Sequence, residues 1–132
     1  QAGFAPHFIG KETQTLHSTQ HPIVLESSLR YHPLVGIACA LKHCLHSYAL
    51  ILPCDTPFLK PQTLSRFAVQ QQPTVAYSDR LHPLIGWYPT SWYNKAKSMA
   101  QNNEAAAKFA KGTFYLYLPH EELHNCNRPE DL

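Results

Sequence analysis

The run Tyr48-Ala49-Leu50-Ile51-Leu52 constrains this chain more than any other stretch, because unbroken apolar residues leave no face for solvent and need cover on both sides. Such a run predicts a central parallel strand between helical layers. It stops at Pro53-Cys54-Asp55-Thr56-Pro57, where the prolines fix the backbone path and Asp favours a turn. Just upstream, Leu34, Ile37, Leu41, Cys44 and Leu45 recur at helical spacing after Pro33, which suits the first position of a helix. Downstream, Pro61 opens a second helix with Leu64, Phe67 and Ala68 as its inward face, closed by Gln70-Gln71-Gln72-Pro73.

Other segments fit the same alternation. His7-Phe8-Ile9, stopped by Gly10, and Ile23-Val24-Leu25 read as short strands, Gln1 to Pro6 as the end of a helix, and Thr13 to Gln20 as helix or loop. Thr74-Val75-Ala76-Tyr77, the turn Ser78-Asp79-Arg80 and Leu81 to Tyr88 predict a hairpin-like excursion, with Pro83 at an edge or bulge. A helix is expected from Pro89, interrupted at Asn102-Asn103, followed by a second from Glu104 to Lys111 that Gly112 caps, and a last strand over Thr113 to Leu118. Strands alternating with helices imply a Rossmann-like three-layer α/β sandwich with a mostly parallel sheet. At 132 residues and 44% hydrophobic, the chain supplies one core, so residues 1–132 read as a single domain.

Composition removes several function classes. Eleven Lys plus Arg against nine Asp plus Glu are scattered singly, which is not the basic footprint of a nucleic-acid binder. No apolar run approaches the roughly 20 residues that cross a bilayer, and no signal peptide opens the chain, so no membrane role is expected. Cys39, Cys44, Cys54 and Cys126 are too sparse for a disulfide scaffold, and reduced thiols in a cytoplasmic protein are expected. Residue 1 is Gln rather than Met, so a cleaved start or a piece of a longer chain is expected.

In open α/β sheets ligands bind beyond the carboxyl ends of strands, which directs attention to Asp55. A carboxylate there suits Mg²⁺, which takes few protein oxygens and shares the rest with phosphate and water. The same residue also serves as an ordinary turn or capping Asp before the Pro61 helix, and spacing alone leaves both readings open.

The string Pro53-Cys54-Asp55-Thr56-Pro57-Phe58-Leu59, preceded by His32-Pro33-Leu34-Val35-Gly36-Ile37, resembles the MobA-like nucleotidyltransferases, the molybdenum cofactor guanylyltransferases. Leu81-His82-Pro83-Leu84-Ile85-Gly86-Trp87-Tyr88-Pro89 is similar to that family's His-Pro segment, and Asn125-Cys126-Asn127-Arg128-Pro129-Glu130-Asp131-Leu132 to its closing segment. The resemblance spans nearly the whole chain, and the string around Asp55 is its most specific part. It implies an enzyme that transfers GMP from GTP to molybdopterin cofactor with Mg²⁺ and releases pyrophosphate. It also suggests molybdoenzyme-maturation proteins as partners, with the oligomeric state open. By the resemblance Asp55 is the catalytic, metal-binding and nucleotide-binding carboxylate. Lys11, Ser27 (or Glu26), Pro33, Leu34 and Gly36 fall at nucleotide-binding positions, and His82, Asn125 and Asn127 at acceptor-binding ones.

The departures bear on the same reading. The family's amino-terminal Gly-rich segment has no counterpart, the glycines here are isolated, and the fold is expected to be truncated at that end. His32 replaces the first Gly of the family's helix-opening loop, and Ala105-Ala106 stand where the family commonly carries arginines. A degenerate, non-catalytic binding module is therefore the alternative, and a related transferase acting on another phosphorylated acceptor the next. No Gly-x-Ser-x-Gly elbow supports a hydrolase. Cys39, His43 and His46 share a helical face compatible with Zn²⁺ or Ni²⁺ but read better as a solvated surface, and His120, His124 and Cys126 match no standard finger. Trp87, Tyr88, Trp92 and Tyr93 read as core before they read as a stacking platform.

Overall fold

The structure, a computed structural model, describes residues 8–11, 23–26, 32–53, 56 and 58–123. Strands β1 (Phe8–Lys11) and β2 (Ile23–Glu26) pair in parallel. Helix α1 (Pro33–His43) leads to β3 (Tyr48–Ile51), α2 (Pro61–Ala68), β4 (Thr74–Tyr77) and β5 (Leu81–Pro89). A 3₁₀ turn over Thr90–Trp92, helices α3 (Tyr93–Gln101) and α4 (Ala106–Phe109), strand β6 (Phe114–Tyr117) and a 3₁₀ turn at His120–Leu123 complete the described path. No helix among the described residues is long and apolar enough to cross a membrane.

The second sheet has the order β3-β5-β4-β6. Strand β5 is antiparallel to both β3 and β4, whereas β4 and β6 are parallel. The α/β class is as expected, but the sheet is partly rather than mostly parallel. In particular, β3 is antiparallel to its partner β5 and stands at the end of the four-strand order. Its apolar run signalled cover on two faces, and hydrophobicity carries no information about strand direction. Ala49 and Ile51 meet the layer of α1, α3 and α4, while Leu50 meets the layer of α2.

Two apolar clusters cover the two faces. Leu34, Ile37, Ala38 and Leu41 of α1 pack with Tyr88, Ala96, Met99, Ala100 and Phe109 on one side. Phe67, Ala76, Ile85 and Leu118 pack on the other, with Trp87 and Leu116 at their margin. The period of two along β5 splits its residues, sending Ile85 and Trp87 one way and Tyr88 the other. Trp87 and Tyr88 thus serve the core, as does Trp92, which meets Phe109 edge to face at 5.6 Å.

Several local boundaries differ from the periodicity reading. Helix α1 ends at His43, with Cys44 as its C-cap, so Leu45 leaves the stripe and is 97% exposed. In α2 the buried pair is Thr63 and Phe67, one turn apart, and Ala68 is exposed. Strand β5 runs through Pro89 before the 3₁₀ turn, because the backbone of Thr90 still bonds to Ser47 across the β3 edge at 2.9 Å. The expected helix over Glu104 to Lys111 shrinks to Ala106–Phe109 with Ala110, not Gly112, as its C-cap; Gly112 turns the chain two residues later with φ +86°, as its lack of Cβ allows. Strand β1 passes through Gly10 to Lys11. The segments Gln1 to Pro6 and Thr13 to Gln20 lie outside the described residues.

The hairpin carries the irregularity that Pro83 foretells. Val75 pairs with Gly86 but Ala76 pairs with His82, so Pro83, Leu84 and Ile85 bulge from the ladder. Tyr88 closes this bulge: its ring lies over Gly86 and its hydroxyl donates to the Pro83 carbonyl at 2.6 Å. A Cβ on Gly86 would collide with Tyr88 Cζ, a clash that a fully buried ring has no room to accommodate. Gly86→Ala is therefore expected to lower unfolding free energy by about 1–3 kcal/mol, through overpacking, in urea denaturation. Tyr88→Phe, which keeps the ring and removes its hydrogen bond, should cost about 1 kcal/mol.

Candidate functional site

Because β5 is antiparallel to both β3 and β4, strands β3, β4 and β6 point the same way and end at one edge of the sheet. Three segments leave that edge: Leu52-Pro53 after β3, Ser78-Asp79-Arg80 after β4, and Leu118 to Leu123 after β6. Loops beyond such strand ends are free to vary without disturbing the layers that hold them, which makes this edge the candidate site.

Asp55 follows β3 in the sequence, and with Cys54 and Pro57 it lies outside the described residues. Its neighbour Thr56 is buried, and the Thr56 Oγ1 has no hydrogen-bond partner among the described residues. Leaving a buried hydroxyl unpaired costs about 1–3 kcal/mol, a cost that an incoming oxygen ligand or cation would relieve. Further on, Glu122 fastens the loop to the turn after β6. Its Oε1 accepts the Thr63 hydroxyl at 2.6 Å and the Lys60 N–H at 3.1 Å, which caps the otherwise uncapped start of α2. Nothing local in the sequence announced Glu122, since its partners stand about sixty residues away.

Helix α1 begins with a side-chain cap that the sequence reading missed. The Leu34 N–H donates to His32 Nδ1 at 3.1 Å, and the Val35 N–H donates to the His32 carbonyl at 3.0 Å. His32 thus does more than replace a glycine, because it satisfies donors that a helix start leaves open. Pro33 is exposed and Gly36 half-buried, whereas the Leu34 side chain is fully buried in the core. A ligand at this turn would meet Leu34 only through its backbone.

His82 sits in a second group of polar residues. An open pocket of about 390 Å³ is lined by Ser78, Asp79, Arg80, His82, His120 and Leu123. The Ser78 hydroxyl donates to Asp79 Oδ1 at 3.0 Å and lies 3.0 Å from His82 Nε2. A carboxylate only accepts, so the serine proton points to Asp79 and His82 Nε2–H donates to the serine oxygen. The Ser78 hydroxyl holds the Asp79 carboxyl below its ordinary value, aided by the aspartate's own backbone and by His120 and Arg80. Burial holds the His82 imidazole below its ordinary 6.5, with Arg80 and His120 acting in the same sense and Asp79 against them.

The remaining expected residues divide by where they fall. Lys11 ends β1 in register with Glu26 of the parallel strand β2, which puts both at the carboxyl end of that pair. Ser27, Asn125 and Asn127 lie outside the described residues, as do His124 and Cys126. His46 falls beyond the end of α1, so it shares no helical face with Cys39 and His43; His43 Nδ1 instead lies 2.9 Å from the Cys39 carbonyl oxygen. No group of three His, Cys, Asp or Glu poised to hold a metal occurs among the described residues. That excludes a self-sufficient protein cage there, but a Mg²⁺ ion sharing its shell with phosphate asks for less.

A sheet covered on both faces, with its polar loops at one carboxyl edge, defines an α/β protein of the Rossmann-like class. Residues 4–115 match the MobA-like NTP transferase domain. The chain belongs to that family. A protein of Nostoc sp. named probable molybdenum cofactor guanylyltransferase is 29% identical over 113 residues, covering 76% of this chain and 54% of that protein. A protein of Halalkalibacterium halodurans with the same name is 32% identical over 127 residues, covering 83% of this chain and 64% of that protein. The chain thus spans between about half and two thirds of these relatives' length. Among solved structures, a protein of Aquifex aeolicus superposes with a TM-score of 0.70 at 23% identity, covering 82% of this chain and 63% of that one. Molybdopterin-guanine dinucleotide biosynthesis protein A of Archaeoglobus fulgidus gives 0.65 at 18% identity, covering 86% and 65%. At these identities the structural likeness is one of fold.

Two outcomes follow from this geometry. Glu122→Ala leaves the buried Thr63 hydroxyl and the start of α2 without their acceptor, and should lower unfolding free energy by about 1–3 kcal/mol in urea titrations. For His82 the folded chain favours the neutral ring, so the unfolded chain binds more protons below the ordinary pKa of 6.5. Stability held above that value should therefore fall as pH drops through it, and His82→Gln should flatten this part of a Tm-against-pH curve.

Proposed function

We propose that this chain carries the catalytic edge of a Mg²⁺-dependent guanylyltransferase that transfers GMP from GTP to the phosphate of molybdopterin cofactor. What supports the reading is that the string Pro53-Cys54-Asp55-Thr56-Pro57 follows β3 in the sequence, and that β3 ends on the edge where β4 and β6 also end. The family membership and the names of the relatives support the choice of reaction.

Two anions must meet in this reaction. An oxygen of the acceptor phosphate attacks the α-phosphorus of GTP, a new P–O bond forms, and the bond to the pyrophosphate leaving group breaks. No covalent enzyme nucleophile is required, so the chain contributes positioning and charge handling. The residues fit a hard divalent ion: Asp55 offers a carboxylate and Thr56 a buried hydroxyl without a partner among the described residues, both oxygens. When bound there, Mg²⁺ would neutralise phosphate charge and act as a Lewis acid toward the phosphoryl oxygens. Pro33, Leu34 and Gly36 would approach the nucleotide through the backbone at the start of α1, and Lys11 and Ser27 from the ends of β1 and the segment after β2. His82, Asn125 and Asn127 would face the acceptor, and the proposed partners remain GTP, the pterin and molybdoenzyme-maturation proteins.

The test is a ligand-dependent thermal shift. Mg²⁺ with GTP should raise the Tm of the protein, since a ligand that binds only the folded state at about 100 times its Kd stabilises by about 2.7 kcal/mol. Asp55→Asn should abolish the shift while leaving the unliganded Tm in place. A shift that persists in the variant would remove Asp55 from the site.

A further inference from the structure

We propose that the pocket formed by Ser78, Arg80, His82 and His120 binds a phosphomonoester dianion and takes up a proton as it does so. The inference deepens the preceding reading, on which it rests for the identity of the acceptor as a phosphorylated molecule. Three observations carry it. The pocket stands beyond β4 and β6 at the sheet's carboxyl edge, and its volume of about 390 Å³ admits a phosphate together with part of the group that bears it. Its donors come from separate elements: Arg80 from the hairpin turn, His82 from the start of β5 and His120 from the 3₁₀ turn after β6. Finally, the hydroxyl relay assigns each proton. Ser78 engages Asp79 and His82 Nε2–H engages Ser78, which leaves Nδ1 as the ring nitrogen that gains a proton.

Charge then decides the ligand. The groups facing His82 are Ser78, Asp79 and Arg80 from the turn and His120 from the 3₁₀ turn. Of the two carboxylates on that turn, Glu122 is committed to Thr63 and Lys60, and Glu121 does not line the pocket. With the His82 ring neutral, Asp79 and Arg80 offset one another in the empty pocket. A dianion reverses the balance, because its field favours the imidazolium form of His82 and offsets the burial that disfavours it. A phosphomonoester, with a second pKa of about 6, is doubly charged at neutral pH and matches the arginine fork and two rings. A sulfonate carries one charge and recruits the protons less well.

Phenyl phosphate serves as the probe and phenyl sulfonate as its singly charged control. Histidine-ring NMR should show the His82 and His120 signals moving with phenyl phosphate, and the His82 titration midpoint rising by about one pH unit. Calorimetry near neutral pH in buffers of different ionisation enthalpy should register net proton uptake on binding. Arg80 is exposed, so Arg80→Gln should keep the unliganded Tm and weaken binding by about tenfold, on the order expected for one charge-assisted contact. His82→Gln should reduce proton uptake. Absent ring shifts, binding without proton uptake, or equal binding of phosphate and sulfonate would overturn the proposal. The Mg²⁺ and GTP shift with Asp55→Asn is read separately. Phosphate loading without a nucleotide-dependent shift would keep this pocket and discard the transferase reading, and the reverse pattern would discard the pocket alone.

Discussion

The contact between the Tyr88 ring and Gly86 sets the geometry on which the edge of the sheet depends. A strand that bulges three residues out of register would ordinarily be free to slip, and slippage by one residue would send every side chain of β5 to the wrong face. Tyr88 prevents this by filling the space that a side chain at position 86 would occupy and by donating its hydroxyl to Pro83. Burial pushes that phenol well above its ordinary value, so it remains a neutral donor at any physiological pH. The clamp fixes where β5 starts, hence where His82 stands relative to Ser78.

The antiparallel strand β5 has a second consequence. By lying between β3 and β4 it lets those strands, and β6 beyond them, run in one direction without helical crossovers between every pair. Three loop segments therefore share an edge. Glu122 ties two of these segments together, joining the turn after β6 to the start of the helix that follows the Asp55 segment. A buried carboxylate survives in this position because two donors satisfy it, one of them a backbone group at a helix start that needs an acceptor.

Much of this was legible from composition and period. The stripe Leu34, Ile37 and Leu41 marked the buried face of α1, Pro33 and Pro61 marked helix starts, and Pro83 marked the bulge. These are local signals, set by backbone sterics and side-chain spacing. The errors also have local causes. Leu45 extended the stripe on paper but follows the helix end at His43, and Ala68 was placed inward while Thr63, paired with a distant glutamate, took the buried position. His32 looked like the loss of a glycine until its ring was seen to cap α1.

The amino-acid sequence by itself determined the α/β class, the approximate helix and strand positions, and the family to which Asp55 and its flanking prolines point, because those depend on spacing and residue type. Only the tertiary structure decided the direction and neighbours of β3, the buried role of Glu122, and the meeting of Ser78, His82, Arg80 and His120. Strand direction is chosen by hydrogen-bond pairing between segments far apart in the chain, and an apolar run is equally buried either way. The polar meetings likewise join turns separated by whole elements, so no local pattern contains them.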